Sequence, residues 1–286
     1  MSLPSIKRRS DSDRKPVSKV TSDSSQHSDL DRPSPLASEL EARTRDLEWT
    51  LTNFAFVAQV TALAAECDVA HSPAMSVASC RSVERLGLTF VGDSSALLAT
   101  YAAFLADPGS EVSLLVNEAQ RSIVEQAFEV RSVMPKWQLL FRGDAGTLDP
   151  HSASELGEND LAAVQALARA EKLGMNLSPD GFSKDTPAFG VWERRKLVSA
   201  GMTLACLPGV AQIDNVVTRE EFRRRGYGSA VVSALLLAHL AKGRRVLAVV
   251  NQDAAGTLGF FEKLGFAQER AMYSMECVLK QSIGSE

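Results

Sequence analysis

Apolar and polar positions alternate most legibly between Ala211 and Phe266. Ile213 to Val217 is apolar and β-branched, and short enough for a strand. A polar run follows, Arg223-Arg224-Arg225-Gly226-Tyr227-Gly228. Ser229 to Ala241 is rich in Ala and Leu and free of Gly and Pro, which predicts a helix. Val246 to Val250 predicts a second buried strand, and Ala254 to Leu264 a second helix, stopped by Gly265. Just upstream, Asp160 to Lys172 places Leu161, Val164, Leu167 and Ala168 on one helical face. Met175 to Pro187 predicts a loop. Phe189 to Trp192 and Leu197 to Cys206 predict two strands around a charged turn, Glu193-Arg194-Arg195-Lys196, and Pro208-Gly209 turns the chain into the next strand.

The first half of the chain is patterned more weakly. Glu39 to about Cys67 predicts a long helix, with Leu47, Leu51, Phe54, Val57 and Leu63 at helical spacing, broken at His71-Ser72-Pro73. Leu88 to Val91 predicts a strand, and Ser94 to Leu105 a helix capped by Asp93. Val112 to Val116 predicts a strand, Glu118 to Phe128 a helix, and Val130 to Met134 and Leu139 to Phe141 two more strands. The polar stretch from Gly143 to Pro150 predicts a linker. The expected fold class is therefore α/β with a mixed sheet, in two parts, residues 43–150 and 151–286. Residues 1–42 are dominated by Ser, Asp, Lys, Arg and Pro. They have too little apolar surface to offset ordering entropy, so a disordered tail is expected there.

Composition narrows the function classes. The chain has 286 residues, 45% of them hydrophobic, and a formal net charge of -4. That balance makes no general case for nucleic-acid binding, and no apolar run reaches the roughly twenty residues of a membrane span. Cys67, Cys80, Cys206 and Cys277 are widely spaced and read as reduced thiols, without disulfide or zinc spacing. With no secretory h-region, a cytoplasmic protein is expected. Lys7-Arg8-Arg9 and Arg14-Lys15 leave a nuclear address open, although solvated charge in a flexible tail is the commoner meaning of such runs.

Strand, glycine loop and helix in that order make a phosphate-binding arrangement. Glycines let backbone N–H groups turn towards one point, where the helix N-terminus adds unpaired donors and a positive dipole end. Three arginines add full charges. Val217-Thr218, Arg223-x-x-Gly226-x-Gly228, the following helix and strand, and Phe261-Glu262-Lys263-Leu264-Gly265-Phe266 together resemble the GNAT superfamily of N-acetyltransferases. The resemblance covers roughly residues 155 to 278. It implies a GNAT-like C-terminal domain preceded by a degenerate GNAT-like half, as in members similar to glycine N-acyltransferase. No second R-x-x-G-x-G occurs in residues 43 to 150, which implies that the first half has lost the cofactor and shapes an acceptor pocket.

The resemblance also implies acetyl-CoA as cosubstrate; His71 and His151 have no ligand partners at metal spacing, so no metal is expected. Backbone groups of Val216, Val217 and Thr218 would pair with the pantetheine arm. Arg223, Arg224, Arg225, Gly226, Tyr227, Gly228 and Ser229 would surround the diphosphate, and Asn251, like Asp253, lies close enough to position 254 to substitute for the asparagine usual there. One N–H of the reactive strand would stabilise the charge developing on the thioester oxygen. An alkylammonium, with a pKa of about 10, must lose a proton before attack. Asp214 is the first carboxylate candidate for that base, weighed against a solvated strand-edge aspartate, and Glu193 is the next. Two positions depart from the family pattern. Phe261 stands where a proton-donating tyrosine is common, and Ala254 stands where asparagine is usual. Tyr273 is a further hydroxyl that could approach the site.

Other chemistry-bearing residues have plainer readings. His239 on the first post-loop helix reads as surface or packing. Cys206 has no histidine near it in sequence to activate it, and Trp137 and Trp192 read as core aromatics. The expected function is acyl-CoA-dependent N-acyl transfer to an amine, small molecule or protein, by direct attack in a ternary complex. The alternative is a catalytically weak GNAT-like module that binds acyl-CoA as a sensor or scaffold.

Overall fold

The computed structural model describes residue 40 and residues 42–62, 67–72, 74–81, 86–106, 109–173 and 182–280. The predicted disordered tail, apart from Leu40 and Ala42, and much of the predicted loop before Pro187 lie outside these residues. In chain order the elements are α1 (Leu47–Thr52), α2 (Phe54–Ala62), β1 (Cys67–Ser72), β2 (Met75–Arg81), β3 (Leu86–Gly92), α3 (Ser95–Leu105), β4 (Glu111–Asn117), α4 (Glu118–Ala127), β5 (Phe128–Phe141), β6 (Ser154–Leu156), α5 (Leu161–Ala170), β7 (Ala188–Glu193), β8 (Lys196–Leu207), β9 (Val210–Thr218), α6 (Tyr227–Leu240), β10 (Arg245–Asn251), α7 (Ala255–Lys263) and β11 (Phe266–Leu279).

These elements fall into two compact units. The first holds the chain up to Leu115, with 119–132 and the end from Met275; the second holds 116–118 and 133–274. The division falls within β5, and residues 143–150 lie inside the second unit.

In the first unit β1, β2 and β3 form an antiparallel meander, and β4 pairs parallel to β3. α3 makes the crossover, the usual way to join parallel neighbours. In the second unit β6, β7, β8 and β9 run antiparallel in sequence. β10 then lies parallel to β9 with α6 as the crossover, and β5 pairs antiparallel to the far edge of β10. Meander, helix, parallel strand and helix is thus the order in both units.

The second unit packs apolar residues on both sheet faces. Val198, Ile213, Val246 and Val250 meet Val231, Val232, Leu235 and Leu236 of α6. On the opposite face Leu197, Ala200, Met202 and Val217 meet Val164 and Leu167 of α5. α6 is buried on most of its circumference, which explains the unbroken Ala/Leu composition that marked it in sequence. Gly265 ends α7 with φ +94°, the left-handed stop expected of it.

Several expectations change. The long first helix is broken among the described residues, by a turn at 44–46 and again at Asn53, whose N–H bonds Trp49 O, and Cys67 already belongs to β1. Ser94, not Asp93, caps α3: its hydroxyl accepts from Leu97 N at 3.3 Å. The two strands expected around Pro135 are one, because the carbonyl of Pro135 still accepts Gln252 N–H at 3.0 Å. Trp192 is exposed rather than core. His239 is fully buried, as the packing reading has it, and it gives Cys206 the neighbouring histidine that was not expected. His239 Nδ1 lies 3.9 Å from Cys206 Sγ, and Nε2 lies 2.8 Å from Thr203 Oγ1. Thr203 gives its own proton to Pro187 O, so the imidazole carries hydrogen on Nε2 and offers Nδ1 as an acceptor. Burial pushes the Cys206 thiol pKa up, so it stays protonated and packs. Among the described residues no metal-binding cluster occurs, and no helix is long and apolar enough to cross a membrane.

Burial, with Arg244 and Lys242 nearby, lowers the His239 pKa from 6.5 to about 4. The folded value lies below the unfolded one. The neutral imidazole therefore contributes stability above pH 6.5, and this is lost as pH falls from 6.5 towards 4. At 1.36 kcal/mol per unit the shift is worth roughly 3 kcal/mol. Denaturant midpoints should fall across that window, and His239→Gln should flatten them there. An equally steep loss in the variant would assign the effect to other groups.

Candidate cofactor site

The site begins with a mismatch between β8 and β9. Ala200 faces Val217 and Met202 faces Asp214, so Gly201 alone stands opposite Asn215 and Val216. The extra residue is absorbed at Asn215, which takes φ +54°, a left-handed conformation that Asn tolerates better than most residues. Asp214 Oδ1 accepts the Asn215 N–H at 2.6 Å and steadies the bulge. A Cβ at position 201 would lie 2.8 Å from Val231 Cγ1 and 3.2 Å from Val216 Cγ2, so the residue opposite the bulge must be glycine.

The bulge separates β9 from its other neighbour. β10 stays in parallel register with β9 only from Arg245↔Val210 to Leu247↔Gln212. β9 then continues to Thr218 and β10 to Asn251, each away from the other. The β10-facing edge of residues 213–218 keeps its backbone donors and acceptors outside that ladder. The bulge also parts the valines. Val216 packs towards α6 and Val217 towards α5. Thr218 Oγ1 lies 2.8 Å from Ser199 Oγ, which itself donates to Val217 O at 3.0 Å.

Residues 219–226 join β9 to α6. Arg219 anchors the loop to β8: its N–H bonds Val198 O at 2.9 Å and its Nε bonds Leu197 O at 3.0 Å. A 3-10 turn covers Glu220–Phe222. Arg224 and Gly226 then take φ +61° and +83°. Two left-handed residues in this short span turn the backbone so that successive N–H groups face one side. Gly226 is the N-cap of α6, and no side chain caps that end. The first-turn N–H groups of Tyr227, Gly228 and Ser229 therefore point outward without an intrahelical partner. A Cβ on Gly228 would stand 3.3 Å from Thr218 Oγ1, so this turn lies directly against the end of β9.

The three arginines do different things. Arg223 donates from Nε to Thr218 O at 3.0 Å and pairs with Glu171 at 2.5 Å. Arg225 bonds Glu221 O at 3.2 Å and lies over the Phe222 ring, 5.1 Å from its centroid. Arg224 is exposed. Tyr227 donates its hydroxyl to Glu193. Glu193 is thereby engaged at the loop, on the hairpin side, and not beside the bulge.

At the bulge the chemistry gathers around Asp214. Burial raises its carboxyl pKa, opposed by the Asn215 N–H and by the charge of Lys136. Lys136 Nζ in turn donates to Asn251 Oδ1 at 2.6 Å, with Lys136 and Asn251 directly paired across β5 and β10. Lys136 falls in the gap between the two strands expected at Val130 to Met134 and Leu139 to Phe141. Phe261 is buried, edge-to-face with Phe260 and Phe266 at 5.2 and 5.1 Å. Its neighbour Phe260 turns towards the loop, 3.6 Å from a Cβ built on Gly228. Tyr273 bonds Glu118.

The first unit holds a closed version of the same arrangement. β3 and β4 also pair over three positions, Leu86↔Val112 to Leu88↔Leu114, and then continue apart. Only Asp93 and Ser94 separate β3 from α3, where residues 219–226 separate β9 from α6. Ser94 caps the helix end that stays open in α6, and Gln120 Nε2 bonds Phe90 O at 3.0 Å on the strand edge.

Residues 189–275 match the model of the FR47-like protein family. No curated protein matches the chain. Among solved structures, the chain is similar to a putative GNAT-family acetyltransferase from Novosphingobium aromaticivorans. The TM-score is 0.61 at 19% identity, covering 81% of this chain and 99% of that one. A GCN5-related N-acetyltransferase-like protein from Streptococcus suis gives 0.55 at 17%, covering 83% and 99%. A tandem GNAT protein from the clavulanic acid biosynthesis pathway gives 0.53 at 13%, covering 74% and 82%. The FR47-like segment runs from β7 to β11, across the bulge, the loop and the open helix end, and the chain has the fold of these GNAT-family structures.

Proposed function

We propose that this chain is an acyl-CoA-dependent N-acyltransferase, most simply one that moves acetyl from acetyl-CoA to an amine in a ternary complex. The observation that carries this reading is the uncapped N-terminus of α6 set against a strand that has left its parallel neighbour. An extended amide-bearing arm fits the free edge of residues 213–218, as an added strand would. A diphosphate fits the N–H groups of residues 226–229, with the dipole of α6 behind them and Arg224 and Arg225 at the rim. These are the groups that would hold acetyl-CoA.

The amine nitrogen attacks the thioester carbonyl carbon. The ammonium first gives one proton to a base; the C–N bond then forms as the C–S bond breaks, the nitrogen sheds its second proton to solvent, and the departing thiolate takes one up. Asp214 is the base best placed by chemistry. Its burial raises the pKa, which brings a carboxylate closer to the range where proton acceptance is effective. Backbone N–H groups of the Val216–Thr218 edge are the donors available to the carbonyl oxygen. With a thiol pKa of about 8.5, the thiolate leaves without needing an acid at position 261. The acceptor is an amine, of a small molecule or of a protein.

One observation favours the alternative of a weak acyl-CoA-binding module. Phe261 is part of the core and brings no hydroxyl to the helix face where the family often has one. Thiol release from acetyl-CoA, measured over a panel of small amines and lysine peptides, separates the two. Binding with no release on any acceptor would select the module.

Asp214→Asn should lower the acylation rate on the order of 100-fold near neutral pH and less at high pH, where free amine is abundant. Equal losses at both would remove Asp214 as base. Gly226→Val meets no side chain, yet must hold φ +83°, at a cost of about 1–2 kcal/mol or more for a β-branched residue. Its dissociation constant for CoA should rise at least tenfold in calorimetry, and unchanged affinity would contradict the role given to the loop. Calorimetric stoichiometry should be one CoA per chain, since Ser94 and Gln120 close the first unit's copy; two would contradict that closure.

A further inference from the structure

The loop between β9 and α6 has few fastenings of its own. Its 3-10 turn has Arg219 at the N-cap, whose guanidinium has no acceptor to offer the turn's N–H groups and donates to Leu197 O. The first N–H of that turn, on Glu220, is met from outside the loop. Glu171, the C-cap residue of α5, accepts it on Oε1 at 3.3 Å. The other oxygen of the same carboxylate, Oε2, pairs with Arg223 NH2 at 2.5 Å. Arg223 then reaches back from Nε to Thr218 O at 3.0 Å. One carboxylate thus caps the start of the turn and, through Arg223, ties the end of the turn to the end of β9. The Glu171 side chain is only 11% exposed, whereas Arg223 is 54% exposed, so the carboxylate is the fixed member of the pair.

We infer that Glu171 is a positioning residue for the anion-binding loop, holding residues 218–223 so that the open turn after Gly226 is presented in one conformation. The inference rests on the cofactor-binding reading of the loop. It assigns Arg223 to the scaffold and leaves the diphosphate to the backbone N–H groups, Arg224 and Arg225. Charge and geometry make opposite demands on Glu171. As a negative charge close to a diphosphate site it opposes ligand binding, and its removal frees the positive charge of Arg223. On electrostatics alone, Glu171→Ala would bind CoA more tightly. As a positioning residue its removal loses two charge-assisted hydrogen bonds and loosens the loop, so the variant binds more weakly. The sign of the change decides between them.

The test is calorimetry of free CoA with the full chain, wild type against Glu171→Ala, Glu171→Gln and Arg223→Gln. Apo melting temperatures are taken in parallel to confirm folding. Glu171→Ala is expected to lose roughly tenfold in affinity, with Glu171→Gln recovering most of it, because an amide oxygen still accepts the Glu220 N–H. Arg223→Gln should weaken binding less than Glu171→Ala, because the Glu220 cap survives. Equal or tighter binding by Glu171→Ala overturns the inference while leaving the loop's ligand intact. Failure of the wild-type chain itself to bind CoA overturns the site reading, and the inference with it. If Glu171→Ala does not fold, Glu171→Gln decides, because loss of its negative charge alone would tighten binding. Binding weaker than wild type by Glu171→Gln supports the inference, and equal or tighter binding overturns it.

Discussion

Strand β9 cannot stay in register with both of its neighbours, and the rest of the site follows from how that conflict is resolved. Gly201 leaves no room for a side chain between β8 and α6, so the extra residue on β9 has to be taken up opposite it, at Asn215. The bulge keeps β9 on β8 and gives up the ladder to β10. Sheet interiors seldom leave such an edge open, because unpaired backbone groups are costly when no water or ligand meets them. The same bulge sets the half-buried carboxyl of Asp214 beside the opening and turns Val216 and Val217 to opposite faces.

The two units show how the same topology can be open or closed. Both run a meander, a crossover helix and a parallel strand that parts from its neighbour after three residues. In the second unit an eight-residue loop with two left-handed positions leaves the helix end bare. In the first, two residues suffice, Ser94 satisfies the helix end, and Gln120 satisfies a carbonyl of the strand edge. The difference lies in a few hydrogen-bonding side chains rather than in the fold. It is also why absence of an R-x-x-G-x-G in the first half is informative: without the longer loop there is no bare helix end for an anion to meet.

Much of the second unit was legible because its signals are local. β-branched residues, a glycine loop and an Ala/Leu helix stand next to one another from Ile213 to Ala241, and Gly265 stops α7 where a left-handed residue was expected. What was not legible depends on partners far along the chain. β1 and β2 are built largely from Ala, Ser, Cys and His, and carry no apolar run to mark them. β5 runs unbroken through Pro135, whose carbonyl still pairs, where two separate strands were expected. Cys206 meets His239 only because α6 crosses β8, 33 positions away. Glu171 and Lys136 carried no motif; their meaning comes from Arg223 and Asn251, 52 and 115 residues on. Asp214 was nameable as a carboxylate near the reactive strand, but its burial at a bulge was not.

The central claim is that a coenzyme's diphosphate is gripped by backbone N–H groups at the start of α6 while its arm lies along the freed edge of β9. Amide chemical shifts followed by NMR during a titration with CoA test this most directly. The account expects saturable shifts concentrated at Gly226 to Ser229 and at Val216 to Thr218, with the amides of the Ser94–Leu97 segment unmoved. Saturation with those first two groups unmoved would contradict it.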